Sequence, residues 1–188
     1  MTQLGGVPEA RIEDGEVGRV PADAGWWVLG LGEMAWATVE GGGTWSSFEA
    51  PGARADRLGI GVHVLWPGDT PGKYHAEDEQ EGFLVLRGEC LAVVEGQERR
   101  LGPWDYLHCP PGTAHITIGA GDEPCALLMV GTRTGGATRY LPDPAAARHG
   151  AAVEVASDDS DEVYADRPPI RPARSPWPDL TKPSEPGP

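Results

Sequence analysis

Four candidate metal ligands stand out in two short segments: His75, Glu77 and Glu81 in the run from Gly72 to Gly88, and His115 at the end of the run from Trp104 to His115. Side chains two apart on an extended strand share a face, so His75 and Glu77 point the same way. Glu81 follows a short bend and opens the next strand, which lets it swing back toward the same point. His115 lies just past the Pro110-Pro111-Gly112 turn. Imidazole with carboxylate suits one divalent first-row cation, Fe(II), Mn(II), Ni(II), Co(II) or Zn(II). No nearby cysteine pair points to a structural zinc site. A plainer reading stays open, in which the histidines are rim residues and the glutamates are solvated.

Strands must position these groups. The 27 glycines and 19 prolines of the 188 residues form no repeat and are too many for a helix bundle, which predicts short strands joined by tight turns in an all-β barrel. Strands are expected at Trp26 to Trp36, Trp45 to Phe48, Gly59 to Trp66 and Phe83 to Leu86. Further strands are expected at Leu91 to Val94, Arg99 to Leu101, Trp104 to Cys109, His115 to Ile118 and Cys125 to Val130. Residues 1–25 read as an irregular lead-in, 26–135 as the barrel and 136–188 as an acidic, proline-rich extension. Within that extension Pro144 to His149 is expected to form a helical turn or two, and Asp166 to Pro188, with eight prolines, to be extended or disordered.

The two segments resemble the paired motifs of the cupin superfamily, Gly-x5-His-x-His-x3,4-Glu-x6-Gly and Gly-x5-Pro-x-Gly-x2-His-x3-Asn. Glu81 stands seven residues before Gly88 and His75 six before Glu81, while Pro110, Gly112 and His115 match the second motif. Among the departures are Glu77 for the second histidine, Trp104 for the opening glycine of the second motif, and Gly119 for the asparagine. The resemblance implies a single cupin barrel, a double-stranded β-helix or jelly roll. The run Tyr-His-x-Glu-x-x-x-Glu is similar to that of the 3-hydroxyanthranilate 3,4-dioxygenases, which implies His75, Glu81 and His115 as ligands. Glu77 is then either a fourth ligand or an adjoining carboxylate that accepts a proton. Three functions follow from the superfamily: an Fe(II) dioxygenase of a small oxygenated or aromatic substrate, a metal-dependent sugar isomerase or epimerase, and a non-catalytic small-molecule-binding module. No catalytic residue beyond the candidate ligands and no organic cofactor is assigned.

Other candidates carry weaker expectations. His63 is either a general base or a hydrogen-bonded core histidine, the latter being the commoner case. His108 need not face the metal, Cys109 reads as a small buried hydrophobe, and Arg99 and Arg100 as one inward and one outward charge. A phosphate substrate calls for a basic cluster, for which the segments offer Lys73, Arg87, Arg99 and Arg100. With 29 acidic against 15 basic residues the net charge is −14, a field that repels nucleic acid and anionic membranes. No signal-like or membrane-length apolar run is present, so a soluble, cytoplasmic protein is expected. Cys90, Cys109 and Cys125 read as free thiols. The tryptophans at 26, 27, 36 and 45 suggest a homodimer with the Trp26 to Phe48 region in its interface. The tail then lies across the neighbour or, in a monomer, over its own tryptophans.

Overall fold

The computed structural model describes residues 6–49 and 54–177; the part of the expected tail beyond 177 lies outside them. The strands run β1 Ile12–Asp14, β2 Arg19–Pro21, β3 Trp36–Val39, β4 Gly43–Ser47, β5 Leu58–Leu65, β6 His75–Glu77 and β7 Glu81–Arg87. They continue as β8 Glu89–Val94, β9 Gln97–Leu101, β10 Tyr106–Cys109, β11 His115–Ala120, β12 Cys125–Thr132, β13 Thr138–Tyr140 and β14 Arg171–Ala173. Two one-turn helices, α1 Pro144–Ala147 and α2 Ser160–Val163, lie between β13 and β14. Every strand pairing is antiparallel, in a seven-stranded sheet ordered β10-β7-β12-β5-β4-β3-β14, a five-stranded sheet ordered β13-β6-β11-β8-β9, and the small β1–β2 ribbon. This is the all-β cupin barrel the sequence predicts.

Strand alternation separates two apolar layers. Inside, Leu65 of β5, Val85 of β7, Cys90 of β8, and Cys125 and Leu127 of β12 are fully buried and form the floor of the barrel. Outside, Val62, Val64 and Trp36 form a second cluster against which Leu31, Phe48, Ala173 and Trp177 pack. The outer face of the five-stranded sheet, with Val93, Ile116 and Ile118, is covered by Ala145, Ala146 and Ala151 around α1. Asp143 caps that short helix by accepting from the amides of Ala145 and Ala146. Residues beyond 135 thus enter both sheets: β13 pairs with β6 and β14 with β3. The described part of the tail lies along its own chain, with Trp177 against the Trp36 cluster. All three thiols are buried and free, and no helix among the described residues is long and apolar enough to cross a membrane.

One expected strand is absent. Trp26 to Trp36 is irregular, with single bridges of Trp26 to Glu9 and of Met34 to Arg19 in place of a ladder, and β3 begins at Trp36. Gly25 packs so tightly that a Cβ there would lie 2.5 Å from the Pro8 carbonyl, so the segment follows the lead-in backbone instead of extending the ladder. Trp26 is left half exposed. Arg99 and Arg100 are both exposed, not one inward and one outward, because β9 is the last strand of its sheet and its side chains extend past the barrel edge.

Two departures from the motif have local explanations. Gly119 is required because a Cβ there would come 2.0 Å from the Trp66 carbonyl, where the Trp66–Asp69 turn is stitched to β11 by Gly68 N–H to Gly119 O and Gly119 N–H to Asp69 O, both 2.9 Å. Trp104 occupies a left-handed conformation, φ 73°, with its side chain 75% exposed. That backbone region costs a non-glycine residue about 1–2 kcal/mol, and little apolar burial offsets it here. Trp104→Gly is therefore expected to raise unfolding free energy by up to about 1 kcal/mol, after allowing for the entropy of the added glycine. Urea titration of the two proteins checks this, and a loss above about 1 kcal/mol would mean that the indole makes stabilising contacts.

Candidate metal centre

Each inward-facing row leads from the apolar floor to the mouth. Along β7 it reads Val85, Phe83, Glu81; along β5, Leu65, His63, Gly61; along β12, Leu127, Met129, Gly131. Register places Gly131 opposite Glu81, and His75 of β6 opposite His115 of β11. His75, Glu81 and His115 each offer a donor atom, and the three atoms lie within 4.8 Å of one another. The imidazole centroids are 5.0 Å apart, and buried Phe83 flanks His115 at 5.1 Å.

Hydrogen bonds fix the tautomers. Nδ1 of His75 lies 2.7 Å from the Lys73 carbonyl and Nδ1 of His115 lies 2.9 Å from the Thr113 carbonyl. A carbonyl only accepts, so each Nδ1 carries the proton and each neutral ring turns the Nε2 lone pair inward. His115 Nε2 then faces Glu81 Oε2 at 3.0 Å, and that buried oxygen has no hydrogen-bond donor of proper geometry. Two lone pairs this close need a cation or a proton between them. Burial pushes the His115 pKa down, but contacts with Cys109, Glu81 and the Thr113 carbonyl outweigh it and hold the group above its usual value. The donor set fits a divalent ion, which would displace that proton.

Glu77 stands beside this trio. Its Oε1 is 3.6 Å from His75 Nε2 and accepts a 3.0 Å hydrogen bond from the Thr138 hydroxyl of β13. Beyond lies a cavity of about 650 Å³ whose wall includes Glu77, Glu81, His63, Met129, Arg54 and Arg133; the two histidines of the trio stand behind the glutamates. His63 stacks on Trp45 at 5.9 Å and, contrary to the hydrogen-bonded core role expected for it, its buried Nδ1 has no partner. Desolvation, with a smaller push from Arg167, lowers its pKa to about 4. His108 is exposed and stacks on Tyr106, away from the trio, while Cys109 is a buried thiol opposite Glu81.

Residues 61–131, which contain all four candidate ligands, match the sequence family described as the cupin domain. That segment, somewhat less than half of the chain, is a cupin domain. This cupin is 33% identical over 86 residues to glucose-6-phosphate isomerase of Pyrococcus horikoshii, a match taking in 39% of the chain and 46% of that enzyme. It is likewise 33% identical over 86 residues to glucose-6-phosphate isomerase of Thermococcus litoralis, covering 39% and 45%. It thus spans about half the length of the curated relatives it matches. A sugar phosphate isomerase from Silicibacter pomeroyi superposes with a TM-score of 0.49 and 20% identity, over 71% of this cupin and 77% of that chain.

Sequence reasoning missed Arg54 and Arg133 at the cavity, since neither lies in a motif. Arg133 pairs with Glu49 and donates to the Ala55 carbonyl. The four basic residues the segments offered do not line the cavity: Lys73 reaches the Gly150 carbonyl, Arg87 lies over Trp177, and Arg99 and Arg100 are on β9.

Two outcomes are expected. Purified without chelator, the cupin should bind one divalent first-row ion per chain, more weakly as pH falls because protons compete at the imidazoles. His75→Ala and His115→Ala should abolish binding, and Glu77→Ala should weaken it about 10- to 100-fold. Calorimetric titration measures all three, and loss of the site in Glu77→Ala with retention in Glu81→Ala would reverse the carboxylate assignment. Separately, the unfolded chain takes a proton on His63 near pH 6.5, whereas the folded chain resists it until about pH 4. The linked stability is complete above 6.5 and is lost as pH falls toward 4, by at most about 3 kcal/mol. His63→Gln should flatten this part of the stability profile, and an unchanged slope in denaturant titrations between pH 7 and 4 would refute it.

Proposed function

We propose that this cupin is a metal-dependent isomerase that moves a carbonyl between adjacent carbons of a small, hydroxylated, anionic substrate. The observation that carries the reading is the cavity itself: the His75, Glu81 and His115 group opens through Glu81 into a polar space with three further carboxylates, of Asp56, Glu77 and Glu79, a neutral histidine and two arginines around it. That lining suits a polyhydroxylated chain better than an aromatic ring. The partial likeness to glucose-6-phosphate isomerases lends support from an independent direction.

His75, Glu81 and His115 would hold a divalent ion, which would supply Lewis acidity toward a substrate carbonyl and so make the neighbouring C–H more acidic. Glu77, oriented by Thr138, takes the proton from one carbon and returns it to the next while the hydroxyl proton passes from the oxygen of the first carbon to that of the second, so one C–H and one O–H bond break, one of each forms, and no co-reactant is needed. His63 stays neutral above about pH 4 and offers an imidazole that exchanges hydrogen bonds with substrate hydroxyls. Arg54 and Arg133 draw the anionic end toward the rim.

A dioxygenase reading draws on the same trio, since two imidazoles and one carboxylate leave adjacent coordination positions open. One experiment separates the two. The metal-loaded cupin is incubated in D2O with a panel of aldose and ketose phosphates and followed by NMR, and in parallel with catechols, aminophenols and diketones at an oxygen electrode. Interconversion with deuterium entering the carbon skeleton, reduced at least 100-fold in Glu77→Gln, is the expected result. Interconversion without deuterium would remove Glu77 as the base. Oxygen uptake without interconversion would replace the isomerase with the dioxygenase, and inertness toward both panels would leave the binding module.

A further inference from the structure

The two imidazoles are held in their tautomers by different means. The carbonyl that accepts from His115 belongs to Thr113, whose own amide closes a local turn onto Pro110 at 3.1 Å. The carbonyl that accepts from His75 belongs to Lys73, and residues 73 and 74 are gripped by a remote part of the chain. Tyr74 N–H donates to the Ala151 carbonyl, the Tyr74 carbonyl accepts from Leu141 N–H at 2.9 Å, and Lys73 Nζ donates to the Gly150 carbonyl at 2.7 Å. The Lys73 amide itself donates to the Tyr164 hydroxyl at 3.0 Å, across 91 residues of sequence.

Tyr164 is built into this place. Its ring meets Tyr140 edge to face at 5.5 Å, and Tyr140 lies opposite His75 in the β13–β6 register with its ring 6.0 Å from the imidazole. Arg167 lies over the Tyr164 ring at 5.0 Å while donating to the Pro71 carbonyl at 3.1 Å. Gly72 leaves the room required: a Cβ there would lie 2.8 Å from the Tyr164 hydroxyl. Ring, hydroxyl and stacking cation therefore converge on the backbone segment that aims one imidazole.

We propose that Tyr164 is a positioning residue for the metal centre, its hydroxyl fixing Lys73 so that the Lys73 carbonyl holds His75 with Nε2 turned inward. The inference rests on the metal-binding reading of the trio and adds the C-terminal segment to the machinery of the site. Groups outside a coordination sphere that hold a ligand imidazole commonly change metal affinity 10- to 100-fold when lost. Tyr164→Phe keeps the ring stack and removes the acceptor, leaving the Lys73 amide without its partner.

The test uses the full chain and two readouts. Cobalt(II) is titrated into the parent and Tyr164→Phe proteins, following affinity and the visible absorption band. In the metal-free proteins, ring 15N–1H spectra follow the Nδ1 protons of His75 and His115. The expected result is a 10- to 100-fold weaker cobalt affinity and an altered band, with faster exchange of the His75 proton and an unchanged His115 signal. Affinity within twofold of the parent and an unchanged His75 proton overturn the proposal, as does equal disturbance of both histidines, which marks general loosening. Should Tyr164→Phe fail to fold, Gly72→Ala displaces the hydroxyl while retaining it and is read against the same outcomes. If the parent binds no metal, the reading of the trio as a metal centre falls, and the selective change in the His75 proton still decides whether Tyr164 positions that ring.

Discussion

At the mouth of this barrel a buried carboxylate faces imidazoles that have each committed one nitrogen to a backbone carbonyl. Glu81 Oε2 and His115 Nε2 approach to 3.0 Å with no donor suitably aligned between them. In water such an encounter is cheap; beside Phe83 and above a floor of Leu65, Val85 and Leu127 it requires positive charge. A proton meets the need in part: despite the opposing effect of burial, contacts with Cys109 and then Glu81 hold the His115 pKa above its usual range. A divalent ion meets it for all three donors together. The apolar floor and the charged mouth are therefore parts of one arrangement: the floor removes the water that would otherwise satisfy the donors singly.

That arrangement needs strands whose inner faces are fixed in register, and the ends of the chain help to fix them. The outer faces of both sheets are apolar and would be costly to leave in water. Trp177 and Ala173 help cover one, and Ala145, Ala146 and Ala151 cover the other. The same segments hydrogen-bond to β6 and β3. Covering a face and orienting a ligand are thus joined physically, since β13 brings Thr138 to Glu77 and Tyr140 to His75 in the pairing that extends the sheet.

The candidate ligands were legible in the sequence because strand parity and turn position are local properties. His75 and Glu77 share a face by parity, Glu81 begins a strand after a bend, and His115 follows the Pro110-Pro111-Gly112 turn, as the structure has them. The central strands were legible for the same reason. Trp26 to Trp36 was misread because aromatic and branched residues favour strands in general, whereas the close approach of Gly25 to the Pro8 backbone is set by tertiary packing. β13 and β14 could not be read: three residues carry too little periodicity, and a proline within β14 argues against a strand except at a sheet edge, which is where β14 lies. Arg54 and Arg133 became neighbours of the cavity only once β12 and the approach to β5 were placed side by side.

The departures from the cupin motif show what such a pattern encodes. Trp104 stands where the family has glycine, yet its backbone keeps the left-handed conformation that glycine favours. Gly119 stands where asparagine is usual, and the Trp66 carbonyl occupies the space a side chain would need. In neither case does the change touch a donor atom of the trio. Glu77 is different in kind, because its side chain points to the same face as His75 and exchanges a neutral imidazole for a carboxylate beside the donors. With Glu79 and Asp56 also near the cavity, that exchange makes the mouth more acidic, which strengthens its attraction for cations and its repulsion of anions. Arg54 and Arg133 at the cavity wall offset part of that acidity, and Arg133 does so while paired with Glu49, apart from the carboxylates nearest the imidazoles.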